Sequence, residues 1–338
     1  MVTETNTFES LVSDAEKRWD ELNSGSKPWI RIGTALCGEA AGSKKLLPKI
    51  QNSLVSLGIE ANVSEVGCIG LCFAEPLLDI QLPGQNRIFY KNVTEDDLDQ
   101  IISTHLRDLS VDPNLAFLYE GENDLADIAK LESHPMKAQE QRISLRNAGH
   151  IDPYDINQYM ANGGYHALNK ALFEMDPESV LNEVKDSGLR GRGGAAFSTG
   201  IKWSFLASNN APDKYILCNC EEGDPGAFND KGILESDPHT VVEGVILAGY
   251  ATNSNYGYIF IRHGHDGPIE RTKTAIKQAY EKGLLGDNIL GSGFSFNMEV
   301  ALTGDSYVAG EETALMEAIE GKRSMPRYRP PFPAQVGV

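Results

Sequence analysis

The chain contains 338 residues, which is enough for two or three domains and at least one sizeable core. It carries 30 Lys and Arg against 48 Asp and Glu, and this formal net charge of −18 has the wrong sign for a general nucleic-acid binder or a polybasic membrane anchor. The acidic N-terminus lacks the apolar stretch of a secretory signal, and no uninterrupted apolar run is long enough to span a bilayer. We therefore expect a soluble, cytoplasmic protein that neither binds nucleic acid nor inserts into a membrane.

Residues 1–150 predict a helix, a small α/β domain and a linker. Within residues 1–27, apolar side chains recur every three or four positions from Phe8 to Leu22, which indicates a helix. Residues 28–108 have the pattern β-α-β-β-β-α, which predicts an α/β domain with a four-stranded sheet, and Thr94 is the predicted N-cap of its last helix. Residues 109–150 are polar and lack a strong period, so we expect a surface linker.

Residues 151–338 predict a larger α/β domain. The strand-like segments KYILCN, YGYIFIR and NMEVALTG alternate with helical segments, and the helical segment DINQYMANGGYHALNKALFEM comes first. Such alternation implies right-handed crossovers and a mostly parallel sheet. The chain stops in the proline-rich string RPPFPAQVGV, and we expect the domain to be incomplete at that end.

The densest chemical signal is the glycine-rich string GLRGRGGAAFSTGIKWSF, which begins at Gly188. Glycines let backbone N–H groups approach a phosphate closely, and the N-terminus of a following helix adds its dipole. The dinucleotide-binding fingerprint fits poorly because a helix, not a strand, is predicted before Gly188. A Walker A loop is excluded because Ile201 separates Gly200 from Lys202. A mobile glycine linker remains the alternative.

Two acidic strings follow. In YILCNCEEGDPGAFNDK, a buried-type strand leads into Asn219 and a cluster of carboxylates, and ligands of open α/β sheets collect at the carboxyl ends of strands. A solvated acidic turn and a divalent-metal site remain alternatives, and Cys218 and Cys220 are expected to pack. In GEETALMEAIEGKRSMPRYRPPFP, Glu311 and Glu312 open a helix, where capping explains them about as well as function does.

Three of the five cysteines could converge at one end of the small sheet. Cys68 and Cys72 lie in a loop after a predicted strand, and Cys37 lies in another strand-to-helix loop. A 2Fe-2S cluster normally takes four protein ligands, and only three are visible here.

The three strings GLRGRGGAAFSTGIKWSF, CNCEEGDPGAFNDKGILESDPH and GEETALMEAIEGKRSMPRYRPPFPA, in this order, resemble the NADH-binding flavoprotein (51 kDa) subunit of respiratory complex I and of soluble NAD-dependent hydrogenases and formate dehydrogenases. The resemblance implies a thioredoxin-like 2Fe-2S ferredoxin domain over residues 28–108 and a Rossmann-like FMN- and NADH-binding domain over 151–338. It also implies hydride transfer from NADH to FMN, followed by single-electron transfer to iron–sulfur subunits of a multisubunit redox complex.

The resemblance assigns site residues by position, and no side chain is assigned as a catalytic acid or base. The FMN positions are Gly191, Arg192, Gly193, Gly194, Lys202, Asn219, Glu221, Glu222, Tyr307, Gly310 and Glu311. The NADH positions are Phe197, Phe205, Asp224 and Glu312. Cys37, Cys68 and Cys72 form an incomplete ligand set for a 2Fe-2S cluster, and the 4Fe-4S cluster of the family is expected only beyond Val338.

The sequence departs from the family pattern most clearly in the ferredoxin-like domain. That domain normally has a cysteine pair in its first loop, where Cys37 here stands alone. An inactive paralogue that docks or assembles within a redox complex is therefore the alternative to an NADH dehydrogenase subunit.

Overall fold

The computed structural model describes residues 7–224, 226–302 and 306–338, and the chain divides into two compact units. The N-terminal unit comprises Ser13–Asn162 and Glu235–Asp237. The C-terminal unit comprises Gly163–Leu234 and Pro238–Val338, together with Met1–Val12, of which the first six residues lie outside the described part.

The N-terminal unit contains one mixed sheet of six strands, in the spatial order β2-β1-β3-β4-β5-β6. These strands are β1 (Trp29–Gly33), β2 (Asn62–Val66), β3 (Leu78–Gln81), β4 (Arg87–Tyr90), β5 (Ala116–Glu120) and β6 (Ala129–Lys130). β1 pairs with β2 in parallel, whereas the pairs β1–β3, β3–β4 and β4–β5 are antiparallel. The first four strands form the four-stranded sheet that the sequence predicts.

Among the described residues, five α-helices have most of their residues in this unit. They are α1 (Phe8–Ser24), α2 (Leu36–Ala41), α3 (Ser43–Leu57), α4 (Glu95–Ile102) and α5 (Ile156–Ala161). The predicted cap of α4 is confirmed, because the Thr94 hydroxyl accepts the N–H of Asp97 and the Asp97 carboxylate accepts the N–H of Thr94. Ile50 of α3 and Leu98 of α4 are buried in one core with Ile30 and Ile80 of the sheet.

The expected linker over residues 109–150 is wrong in part, because this segment contributes β5 and β6 to the sheet. Leu118 packs in a core cluster with Phe89, whereas the next residue, Tyr119, packs in another with Ile88. A strand buried on both faces has no polar–apolar alternation, so the sequence pattern missed it.

The expected domain boundary at residue 151 also differs from the structure. Residues 151–162 belong to the N-terminal unit, where the buried Asp152 carboxylate accepts the backbone N–H of Glu65 in β2. The helix predicted as one segment from Asp155 is two helices, which are separated at Gly163 with a φ of +85°. Glycine adopts this left-handed conformation without steric cost.

The C-terminal unit is built on a parallel sheet with the order β7-β8-β9. Its strands are β7 (Tyr215–Cys220), β8 (Tyr256–Ile261) and β9 (Asn297–Leu302). Its helices are α6 (His166–Glu174), α7 (Pro177–Asp186), α8 (Thr199–Ala207), α9 (Asp230–Ser236), α10 (Pro238–Thr252), α11 (Asp266–Glu281) and α12 (Glu312–Ile319). The prediction of a mostly parallel sheet with intervening helices is confirmed here. In the described part of the chain, no helix is both long and apolar enough for a membrane crossing.

Candidate functional site

The glycine-rich string forms an exposed loop between α7 and α8. Its two arms pair, because the Gly191 N–H donates to the Phe197 carbonyl at 2.8 Å and the Thr199 N–H donates to the Leu189 carbonyl at 2.9 Å. A Cβ atom added at Gly193 or Gly194 would meet no atom within 4 Å, and Gly194 has a φ of +94°. The tip of the loop therefore leaves room for another group to approach the backbone closely.

Close packing between α7 and α8 fixes the position of this loop. A Cβ atom at Gly200, in the first turn of α8, would lie 2.6–2.7 Å from side-chain and backbone atoms of Lys185 in α7. Ser198 caps α8, since its hydroxyl accepts the Ile201 N–H at 3.4 Å. The helix N-terminus thus follows the open loop directly, and this arrangement favours an anion.

The acidic loop begins at the carboxyl end of β7. The Glu221 side chain is 3% exposed and pairs with Arg262, with Oε1 2.8 Å from Nη1. The side-chain amide of Asn219 donates to the Gly310 carbonyl at 2.8 Å. This hydrogen bond joins the end of β7 to Gly310, which lies two residues before α12. The buried carboxylate therefore holds the acidic loop against the end of β8, and the amide holds it against the third string.

Glu222 lies in the same loop, but its carboxylate caps α9. It accepts the N–H groups of Asn229, Asp230 and Lys231 at 2.6, 3.0 and 3.0 Å. Burial, together with the charges of Glu222 and Glu221, raises the pKa of Asp230 to about 6. The Glu222 carboxylate is thus fully used in the fold of the loop.

Glu311 and Glu312 lie at the start of α12, and their contacts differ. Glu311 is the N-cap, and its carboxylate accepts the N–H groups of Thr313 and Ala314 at 2.9 and 3.0 Å. Burial opposes ionisation of Glu311, but these hydrogen bonds outweigh it and lower its pKa. Glu311 also pairs with Arg329, with Oε1 3.1 Å from Nη2, whereas Glu312 pairs with two cations, Lys202 Nζ at 3.2 Å and Arg329 Nη1 at 2.5 Å. Helix capping and one ion pair therefore explain Glu311, and two ion pairs explain Glu312.

The remaining predicted positions are exposed. The Tyr307 hydroxyl donates to Asp224 at 2.5 Å, and this hydrogen bond raises the pKa of Tyr307. The rings of Phe197 and Phe205 are half exposed, with centroids 6.4 Å apart. Arg192 is exposed in the glycine loop.

A cavity of about 410 Å³ joins the three strings. Lys202 lines it from the first string, Asn219 from the second and Glu312 from the third. Trp203 and Leu315 add apolar surface to its wall. A volume of this size, mostly apolar with a few convergent polar groups, is typical of a small-molecule site.

Sequence reasoning missed Arg262 as a site residue, although a signal was present. Arg262 follows β8 directly, and β7 and β8 pair in parallel with Cys220 opposite Ile261. The residues that follow two neighbouring parallel strands meet at one sheet edge, so the predicted strand YGYIFIR already placed Arg262 beside Glu221.

The three thiols of the N-terminal unit converge as expected, but they do not fit a 2Fe-2S cluster. Cys72 Sγ lies 3.7 Å from Cys68 Sγ, and the Cys37 thiol also hydrogen-bonds Cys72. Within residues 7–224, 226–302 and 306–338, no group of three or more His, Cys, Asp or Glu side chains is arranged to hold a metal ion. Such a cluster takes four protein ligands, one more than the thiols here supply.

Residues 184–338 match the family model of the Nuo51 FMN-binding domain. The chain is 51% identical over 196 residues to the NADP-reducing hydrogenase subunit HndC of Solidesulfovibrio fructosivorans, covering 58% of this chain and 40% of that protein. It is 46% identical over 196 residues to an NADH-quinone oxidoreductase subunit of Rhizobium meliloti, covering 58% and 47%. The chain thus spans less than half the length of these curated relatives. A solved NAD+-reducing [NiFe]-hydrogenase aligns with 97% of this chain and 51% of its own, at 22% identity and a TM-score of 0.47. The resemblance to the family of 51 kDa flavoprotein subunits is confirmed for residues 184–338.

Proposed function

We propose that this chain is the flavoprotein subunit of an NADH dehydrogenase-type complex, in which residues 184–338 bind FMN and NADH. The cavity that Lys202, Asn219 and Glu312 line together is the observation that carries this proposal. Each of these residues comes from a different string of the family pattern. The match to an FMN-binding domain and the curated relatives support the same function.

The glycine loop and α8 fit the phosphate of FMN. The backbone of Gly193 and Gly194 is open to a ligand, and the loop leads into the N-terminus of α8. Lys202 lies one turn into that helix, where its ammonium group would add a charge-assisted hydrogen bond to a phosphate. These groups offer donors and positive charge without a steric obstacle, so we assign the FMN phosphate to this loop.

The acidic loop would orient the flavin ring. Asn219 presents an amide beside the cavity, and Glu221 is held in place by Arg262 and by the Gly223 N–H. A Cβ atom at Gly310 would lie 3.1 Å from Glu221 Oε2, so the backbone at Gly310 packs directly on that carboxylate. This packing makes the polar wall of the site rigid, which favours a defined orientation of a bound ring.

The exposed residues on the same unit would bind NADH. The half-exposed rings of Phe197 and Phe205 offer surface on which aromatic rings can stack. The carboxylates of Asp224 and Glu312 can accept hydrogen bonds from ribose hydroxyls. Bound FMN supplies the redox chemistry, because a flavin accepts hydride and can release electrons singly. The chain itself needs only to bind and align the two ligands, so no side chain is assigned as an acid or base.

The binding step is tested by titrating the protein with FMN and following the quenching of flavin fluorescence. We expect saturable equimolar binding, and anaerobic NADH should then bleach the visible absorption of the bound flavin. Iron–sulfur subunits of a larger complex would be the next electron acceptors. Flavin that binds but is not reduced by NADH would favour the docking paralogue, and absence of FMN binding would contradict the site assignment.

A further inference from the structure

The thiols of Cys37, Cys68 and Cys72 form a cluster that the proposed flavin chemistry does not use. Cys72, at the start of a short 3₁₀ turn, is the exposed member and contacts both of the others. Cys68 is partly buried, and burial raises the pKa of its thiol. One accessible thiol therefore lies in contact with a second, more protected one.

The loop between Cys68 and Cys72 keeps the two sulfur atoms close. Gly70 lies midway with a φ of +88°, and its N–H donates to Cys68 Sγ at 3.2 Å. The Sγ–Sγ distance of 3.7 Å is van der Waals contact, so the two sulfur atoms already lie next to each other.

We propose that Cys68 and Cys72 form a reversible disulfide, which makes this loop a thiol–disulfide exchange site rather than an iron–sulfur site. Cys72 attacks a low-molecular-weight disulfide as the thiolate, displaces one thiol and forms a mixed disulfide. Cys68 then loses its proton and attacks the Cys72 sulfur, which releases the second thiol. Two protons and two electrons leave the protein, and the external disulfide takes them up and is reduced to two thiols.

Two cations lie beside this loop. The Lys137 ammonium group and the Arg142 guanidinium both donate to the Ile69 carbonyl, which lies between the two cysteines in sequence. The Glu140 carboxylate pairs with both cations, so one negative charge faces two positive ones. These contacts hold the backbone of the loop between Cys68 and Cys72 in place.

A tryptic digest reports the pairing directly. Trypsin cleaves after Lys and Arg, so residues 50–87 form one peptide that contains both Cys68 and Cys72, whereas Cys37 lies in the peptide 32–44. The full-length protein, purified under reducing conditions, is equilibrated with oxidised and reduced glutathione and quenched with acid. It is then alkylated in denaturant and digested, and the masses of the peptides are measured by mass spectrometry.

We expect the peptide 50–87 to carry a disulfide and no alkyl group after oxidising buffer, at two hydrogens below its unmodified mass, and to carry two alkyl groups after reducing buffer. Cys72→Ala should abolish the change, whereas Cys218→Ala should retain it, because Cys218 contacts a different thiol, Cys220, at 3.8 Å. Three results would overturn the proposal: five alkylated thiols in excess oxidised glutathione, a stable glutathione adduct on Cys72, or an anaerobic protein with equimolar 2Fe-2S cluster that depends on Cys68 and Cys72.

Discussion

Lys202 in α8 and Glu312 in α12 form an ion pair with Nζ 3.2 Å from Oε2, although 110 residues separate them in sequence. Both side chains are partly exposed, so the pair itself adds little to stability. The ion pair matters for the site because it places a cation assigned to FMN beside a carboxylate assigned to NADH.

Replacement of Lys202 by Gln should weaken FMN binding. A charge-assisted hydrogen bond contributes about 1.5–3 kcal/mol, so we expect the Kd for FMN to rise about tenfold to a hundredfold. Flavin fluorescence quenching measures this change. Lys322→Gln is the matched control, since Lys322 pairs with Glu320 and does not line the cavity. An equal effect of both substitutions would contradict the role of Lys202.

The substitution Glu312→Gln should weaken the binding of NADH and leave the binding of FMN nearly unchanged. The amide keeps one oxygen as an acceptor but loses the charge, so FMN affinity should change by less than about twofold. The KM for NADH should rise several-fold, because the amide accepts a ribose hydroxyl less strongly. Steady-state kinetics of the FMN-loaded protein with an artificial electron acceptor measures this. A fall in FMN affinity with unchanged KM would reverse the assignment.

Gly193→Val tests the open tip of the glycine loop. A Cβ atom at this position meets no protein atom within 4 Å, so we expect the melting temperature of the FMN-free protein to stay unchanged. The added methyl groups occupy the space assigned to the phosphate, and FMN binding should be lost. Gly244→Ala, at an exposed position in α10, is the control and should leave FMN binding intact. Retention of FMN by Gly193→Val would place the phosphate elsewhere.

The substitution Glu222→Ala should lower the free energy of unfolding of the FMN-free protein. Three backbone N–H groups at the start of α9 would lose their acceptor, which costs about 2–4 kcal/mol of the free energy of unfolding. Glu222→Gln keeps one acceptor oxygen and should cost less. Urea unfolding of the FMN-free protein distinguishes this role from flavin contact, because a flavin ligand alone would leave the unfolding midpoint unchanged.

Asp79→Asn should strongly destabilise the N-terminal unit. The Asp79 carboxylate pairs with Arg31 at 2.7 Å and with Arg87 at 2.6 Å, and all three side chains are 5% exposed or less. Loss of the shared anion leaves two neighbouring buried cations with only Glu120, 3.1 Å from Arg87, as a counter-charge, at a cost of about 3–5 kcal/mol. Thermal unfolding measures this loss of stability, and a change below about 1 kcal/mol would contradict the proposed role of Asp79 between Arg31 and Arg87.

The carboxyl group of Asp152 should make the stability of the folded protein depend on pH. Burial raises its pKa to about 6 from its ordinary value near 3.8, with a further contribution from the charges of Glu65 and Asp155. A raised pKa means that the folded state binds the proton more tightly, so this stabilisation is complete below about pH 4 and is lost as pH rises through 6. Asp152→Asn should therefore be more stable than the parent by about 1–3 kcal/mol at pH 8, with a smaller difference at pH 5.5. Equal differences at both pH values would contradict the shift.

Much of the C-terminal unit followed from local sequence patterns. The helical period before Gly188 and the predicted strand KYILCN placed the glycine loop after α7 and the acidic loop after β7. Both signals are local, because a helical period or an apolar run depends only on neighbouring residues. The glycine positions could also be interpreted locally, since backbone freedom belongs to the residue itself.

Contacts between distant residues were not predictable in the same way. Nothing near Glu222 in the sequence distinguishes a helix cap from a ligand, and the ion pairs of Glu312 with Lys202 and Arg329 depend on how α8 and α12 pack. The strand β5 was missed because both of its faces are covered. These features depend on tertiary structure, which periodicity does not encode.

The most direct test is an anaerobic titration of the FMN-loaded protein with NADH, followed by visible absorption. We expect the flavin absorption to bleach, with an end point at about equimolar NADH, since a flavin takes up one hydride. In the Lys202→Gln variant, loaded with excess FMN, each bound flavin should also be reduced by about one NADH. Flavin that stays oxidised in excess NADH would contradict the proposed dehydrogenase function.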